Sequence, residues 1–225
     1  MNQETWTAVD TYISGFLASH DDALEQALKD SAKEGLPEIQ VSPTQGKLLH
    51  VLARLIKARN ILEIGTLGGY STIWMARALE PGGRIITLEF SSKHADVARA
   101  NFDRAGLSKV IEVRVGPALE ALPKVAAEAR DPFDLIFIDA NKSQMPEYFD
   151  WALKLSRPGS IILADNVVRD GKVIDAHSPD PDIQGVRRFN ERLASESRVS
   201  ATEIQTVGSK GYDGFALAVV LAPGK

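Results

Sequence analysis

The apolar positions of this chain follow two rhythms. One recurs every three to four residues, as on one face of a helix. The other is a short unbroken apolar run, as in a strand buried on both faces. Val9, Ile13, Phe16 and Leu17 keep the helical rhythm, which breaks at His20-Asp21-Asp22 and resumes with Ala23, Leu24, Ala27 and Leu28 as far as Gly35. Ser42 is placed to cap a third helix, with Pro43 at its first position and Leu48, Leu49, Leu52, Leu55 and Ile56 on its apolar face. Ile61, Leu62 and Ile64 form the first strand-like run. Gly65, Gly68 and Gly69 follow at once, and Ser71 stands at the cap position of a helix carrying Ile73, Trp74, Ala76 and Leu79.

The same alternation continues. Strands are predicted at Arg84–Glu89, Val110–Val115, Phe133–Ile138 and Ser160–Ala164, with helices between them through Val97–Phe102, Leu119–Val125 and Tyr148–Leu153. Arg157-Pro158-Gly159 reads as a turn and residues 167–181 as a long loop. A helix over Asp182–Ser195 leads to a terminal pair of strands, Val199–Val207 and Phe215–Leu221, joined by Gly208–Gly214. Strands alternating with helices predict an α/β fold with a mostly parallel sheet and right-handed crossovers. Residues 1–58 form an N-terminal helical extension and 59–225 a Rossmann-like core, together one domain. The extension has two readings: packing against the sheet or a dimer partner, or a lid over a ligand.

Composition narrows the classes. The chain has 225 residues and a formal charge of −4, which argues against a broad nucleic-acid footprint. It contains no cysteine, so disulfides, thiolate zinc sites and cysteine nucleophiles are excluded. No window approaches a membrane span and the first residues lack a signal-peptide pattern, so a cytoplasmic protein is expected.

Strand, glycine turn and helix open a nucleotide-binding unit in which backbone and ligand approach closely. The spacing is Gly-x-x-Gly-Gly, not the G-x-G-x-x-G of dinucleotide sites, and no Tyr-x-x-x-Lys dyad is present. Both features oppose the rival reading of an NAD-dependent oxidoreductase. Glu63 lies two residues before the first glycine, where it would repel a pyrophosphate and favour a cationic ligand. The bland alternative is that Glu63 ends a strand and meets solvent. Glu89 ends the second strand, where an acid holds ribose hydroxyls; otherwise it caps the helix at Ser91 and Ser92. Glu63, Glu89, Asp139, Asp165 and Asn166 all fall at carboxyl ends of predicted parallel strands, where such sheets bind ligands. Each acid alone suits a strand-end cap. Together, Asp139, Asp165 and Asn166 offer hard oxygen donors for Mg²⁺, Mn²⁺ or Ca²⁺. Lys142, three residues past Asp139, is either a solvated loop lysine or a general base beside that ion.

Leu62-Glu63-Ile64-Gly65-Thr66-Leu67-Gly68-Gly69-Tyr70-Ser71, Phe133–Asp139 and Ala164-Asp165-Asn166 resemble the class I S-adenosylmethionine-dependent O-methyltransferases, and within them the metal-dependent catechol and caffeoyl-CoA branch. The resemblance runs from Ser42-Pro43 and Gln45-Gly46 to Gly211-Tyr212-Asp213-Gly214. It implies a seven-stranded sheet whose last strand is antiparallel, and a homodimer. It also implies that Val41 (through its backbone), Glu63, Gly65 and Ser71 surround the methionine end of S-adenosylmethionine, with Asp139 also at the cofactor. Glu89 would hold the ribose and Ala118 would lie near the adenine. Asp139, Asp165 and Asn166 would bind Mg²⁺, and Lys142 would take the proton from a phenolic hydroxyl. The implied acceptor is a catechol-type small molecule such as a phenolic acid, a flavonoid or an ester of these. One departure is local: catechol methyltransferases place an aromatic beside that lysine, where this chain has Asn141. An RNA methyltransferase, opposed by the negative charge, and a non-catalytic cofactor-binding module, opposed by the retained acids and lysine, are the other rivals.

Overall fold

The computed structural model describes residues 2–18, 21–128 and 131–222. Three helices come first: α1 (Gln3–Leu17), α2 (Asp22–Lys33) and α3 (Pro43–Leu55). The strands are β1 (Asn60–Ile64), β2 (Arg84–Glu89), β3 (Ile111–Val115), β4 (Phe133–Ile138), β5 (Ser156–Asp165), β6 (Val199–Gly208) and β7 (Gly211–Val220). Between them lie α4 (Tyr70–Ala76), α5 (Ser92–Arg104), α6 (Ala118–Glu128), α7 (Met145–Leu155) and α8 (Pro181–Ser195). One seven-stranded sheet has the order β3-β2-β1-β4-β5-β7-β6, and β7 runs antiparallel to both neighbours. The expected Rossmann-like α/β sheet with an antiparallel last strand is therefore present.

The unbroken apolar runs hide a period of two. Leu62, Ile64, Ile86, Ile136, Ile138 and Ile162 face the layer that also holds Phe149 of α7 and Phe189 of α8. Ile61, Ile85, Leu135, Phe137, Ile161 and Leu163 face the opposite layer, with Leu24, Leu49, Ile73 and Phe102 from α2 to α5. Both faces are covered, so both sets of positions must be apolar. Every residue of α4 is buried, which is why it shows no polar face. Gly46 in α3 makes room for it: a Cβ there would overlap the Trp74 ring.

The N-terminal helices divide. Helices α2 and α3 pack into the second layer, whereas α1 buries none of its residues. Its apolar positions Val9, Tyr12, Phe16 and Leu17 are exposed. Polar contacts hold α1 to the β6–β7 turn: Gln3 Nε2 donates to the Gly208 carbonyl (2.9 Å), and Asp10 accepts from the Ser209 amide (2.8 Å). Asp21 does cap α2, accepting from the Leu24 amide; His20 lies outside the described residues.

Three expectations need correction. Ser71 does not cap α4. The cap is Gly69 at φ 89°, and the helix ends at Ala76 rather than reaching Leu79. Arg157-Pro158-Gly159 is not a turn between elements but a bulge inside β5. Phe133 pairs with Ser156 while Leu135 pairs with Ile161, so the extra residues loop out. Ser160 closes the bulge, accepting from the Arg157 amide (2.9 Å) and donating to the Phe133 carbonyl (2.7 Å). Finally, Gly208–Gly214 is not a connection. Gly208 pairs with Gly211 across a two-residue turn, and Tyr212 to Gly214 are ladder residues.

Candidate active site

The chain reverses its strand order between β1 and β4, and such switch points open a crevice at the carboxyl edge. The backbones leaving these strands nearly touch. Gly65 has φ 96°, and a Cβ there would overlap the Asp139 carbonyl oxygen. The Asp139 amide donates to the Ile64 carbonyl (2.9 Å).

Asp139 leaves β4 at this point, and Lys142 stands one short turn later, in a 3-10 segment over Lys142–Gln144. Lys142 Nζ donates to Asp139 Oδ1 at 2.8 Å, and its side chain is only 9% exposed. Asp165 and Asn166 leave the adjacent strand β5. Asp165 is buried, and its Oδ1 accepts from the Asn166 amide (2.9 Å). Burial, followed by the Asp139 charge, pushes the Asp165 carboxyl well above its ordinary range, while Lys142 pulls it back down. Asn166 adopts φ 61°, a left-handed conformation that asparagine tolerates. Among the described residues no group of three or more His, Asp and Glu side chains is arranged to hold a metal. The donor set is two carboxylates and an amide. That set would suit a hard cation, because the Asp139 charge adds to the cost of the buried Asp165 carboxylate and positive charge between them would offset it.

Glu63 is fully buried and does not meet solvent, so the alternative of a strand-end acid in water is wrong. It belongs to the odd-numbered face, opposite Thr87 of β2. Its Oε1 accepts from Ser71 Oγ (2.6 Å), and its Oε2 accepts from Thr87 Oγ1 (2.6 Å) and Thr72 Oγ1. Desolvation raises its pKa, and these hydroxyls oppose the rise. Ser71 thus serves Glu63 instead of capping a helix. Thr66, Thr72 and Thr87 escape the sequence reading. For Thr87 the signal is a threonine inside the apolar run Ile-Ile-Thr-Leu, level with the only charge in the neighbouring strand; Thr66 and Thr72 carry no such signal.

Glu89 lies at the end of β2 and is tied to the glycine turn. It accepts from the amides of Thr66 (3.3 Å), Leu67 (2.9 Å) and Ser91 (3.0 Å), and His94 Nδ1 lies 3.3 Å away. The helix cap after it is Ser91, not Glu89. Val41 is buried and lines a narrow apolar pocket with Leu49, Phe137, Phe215 and Asp165, so the loop before α3 reaches the Asp165 side of the crevice. Ala118 opens α6 beyond β3, two strands from β1. The lysine, the two aspartates, Asn166 and Gly65 converge on adjoining strand ends. Glu63 with Ser71, and Glu89, flank the glycine turn on the β2 side.

The chain has close counterparts in sequence and fold. The profile of the O-methyltransferase family matches residues 15–219. A protein from Niastella koreensis named catechol O-methyltransferase is 56% identical over 220 residues, spanning 98% of this chain and 100% of the relative. The crystal structure of an O-methyltransferase from Bacillus cereus in complex with SAH has a TM-score of 0.96 at 60% identity, covering 97% of this chain and 100% of that one. A Streptomyces achromogenes O-methyltransferase involved in tomaymycin synthesis, solved in complex with SAM, has a TM-score of 0.96 at 53% identity, with 99% and 100% covered. With the family profile over most of its length and relatives this near in both sequence and fold, the chain belongs to the O-methyltransferase family.

Proposed function

We propose that this protein transfers the methyl group of S-adenosylmethionine to one hydroxyl of a vicinal diphenol, a catechol-type small molecule, with a divalent cation of the Mg²⁺ type bound beside it. The observation that carries this reading is the pairing of the buried Lys142 with the half-buried Asp139 at 2.8 Å, on the strand end next to Asp165 and Asn166. The name of the Niastella koreensis relative and the SAM and SAH of the two crystallised relatives support it.

Asp139, Asp165 and Asn166 would hold the cation. When bound, the cation lowers the proton affinity of a chelated hydroxyl and S-adenosylmethionine supplies a methyl group on a sulfonium centre. Lys142, in its amine form, receives the hydroxyl proton at Nζ. The freed oxygen electron pair forms the new bond to the methyl carbon, and the carbon–sulfur pair returns to sulfur. Glu89 holds the ribose hydroxyls, Ala118 borders the adenine, and Asp139 borders the cofactor as well as the metal. Val41, Gly65 and Ser71 enclose the methionine end, and Glu63 orients Ser71 from within the core. Holding the two reacting groups in line would supply much of the acceleration. The chain also forms a homodimer in this reading, supported by the apolar side chains that α1 leaves exposed.

Catechol, methyl-labelled S-adenosylmethionine and Mg²⁺ test the reaction. Label is expected in a monomethyl ether of catechol, and chelator is expected to abolish it. Asp165→Ala should lose the metal-stimulated rate; undiminished labelling of that variant in chelator would remove the metal from the scheme. Lys142→Ala should lower turnover about 10²-fold or more while S-adenosylmethionine affinity, measured by calorimetry, stays within about twofold. Turnover equal to the parent would remove Lys142.

A further inference from the structure

We infer that helix α8 positions Lys142 for proton transfer, with Asp182 as the positioning residue. The inference rests on the reading of Lys142 as the base. Lys142 belongs to a 3-10 turn of three residues, too short to hold its own geometry. The turn is held from outside. The Ser143 amide points between Asn141 Oδ1 (3.1 Å) and Asp182 Oδ1 (3.2 Å). The Ser143 carbonyl accepts from the Arg188 guanidinium (3.0 Å). Between these two grips, α8 comes into direct contact with the turn at Gly185, where a Cβ would overlap the Lys142 carbonyl oxygen and crowd Ser143 Cα.

Asp182 also faces the other half of the site. Its second oxygen lies 4.0 Å from the Arg169 guanidinium, in the segment that follows Asn166. One carboxylate therefore spans the lysine turn and the segment leaving the Asp165-Asn166 pair. The Lys142 stem is buried, so a displacement of its backbone is passed to Nζ. A misplacement of a fraction of an ångström at a proton-transfer distance costs rate without changing what binds. Asp182 itself is partly exposed, with 38% of its side chain accessible, so its removal leaves no buried charge behind.

The test is a double-mutant cycle on the full chain with catechol, Mg²⁺ and S-adenosylmethionine. Asp182→Ala is expected to lower kcat about tenfold, with the KM for catechol and the Kd for S-adenosylmethionine within about twofold. Asp182→Asn keeps an oxygen facing the Ser143 amide and is expected to recover most of that loss. In a Lys142→Ala background, Asp182→Ala is expected to cause no further loss, because the two act through one group. Gly185→Ala is expected to give the same kcat-selective loss, with the same silence in the Lys142→Ala background. An Asp182→Ala enzyme with parental kcat, an Asp182→Asn enzyme as slow as the alanine variant, or an additive double mutant would each overturn the inference. If Lys142→Ala alone has parental turnover, the assignment of the base has failed instead, whatever Asp182 does.

Discussion

Glu63 is an ionisable residue with no exposed surface, set in a strand whose other buried side chains are apolar. Removing a carboxylate from water is costly unless hydrogen bonds replace the lost solvation. Here Ser71, Thr72 and Thr87 supply them. The sequence makes the charge visible and leaves its neighbours hidden, because they arrive from β2 and α4. Because burial raises its pKa in the folded state, the folded protein binds a proton more tightly than the unfolded chain at this position. The contribution to stability is present at low pH and declines as pH rises from the ordinary glutamate value through the raised one. Glu63→Gln removes that decline. The midpoint of thermal unfolding of the variant, relative to the parent, should therefore increase as pH goes from 4 to 8, and a constant difference across that range would contradict the assignment.

At the scale of the element, the segment after β5 is the loop its sequence predicts, with one 3-10 turn at Lys172–Ile174. Residues 167–181 read only as a loop, yet the segment has a defined course. Asn166, Arg169 and Asp170 all take positive φ values, between 56° and 61°. One oxygen of Asp213 makes this conformation possible by accepting from the amides of Val168 (3.0 Å), Arg169 (2.9 Å) and Gly214 (2.9 Å). Asp213 is 45 positions from Val168, so no local pattern could pair them. Asp213→Ala strands those donors and should cost about 1–3 kcal/mol in denaturant unfolding. Asp213→Asn keeps the acceptor and should cost less, and the alanine variant should exchange the Val168 and Arg169 amides faster. Equal unfolding free energies for both variants would show that the oxygen does not hold the segment. The bulge in β5 and the tight β6–β7 turn have the same lesson: Gly159 and Gly211 carry turn chemistry, but pairing partners decide whether it breaks a strand or bends one.

Over the whole molecule, the sheet order brings the ends of β1, β4 and β5 side by side, and the candidate site is the edge they share. Helices α2 and α3 complete one layer above it, while α1 stays outside with Val9, Tyr12, Phe16 and Leu17 uncovered. A second copy of the chain is the proposed cover. Phe16, 72% exposed, can take a charge without disturbing the core of one chain. Phe16→Glu should convert the proposed dimer to monomer in light scattering, with a far-ultraviolet circular dichroism spectrum like that of the parent. A parent protein that is already monomeric at the working concentration would end the dimer proposal.

The order of strands and helices, the buried character of the strands and the residues at their carboxyl ends are all legible from the sequence, because each depends on local periodicity and on turn chemistry within a few positions. Glu63, Gly65, Glu89, Asp139, Lys142, Asp165 and Asn166 could be singled out for that reason. Tertiary structure alone decided that Ser71 serves a buried carboxylate, that Asp213 fixes the segment after Asn166, and that α8 closes on the lysine turn. Those pairings join residues distant in the chain, and a contact between distant residues exists only once the sheet has set which strand lies beside which.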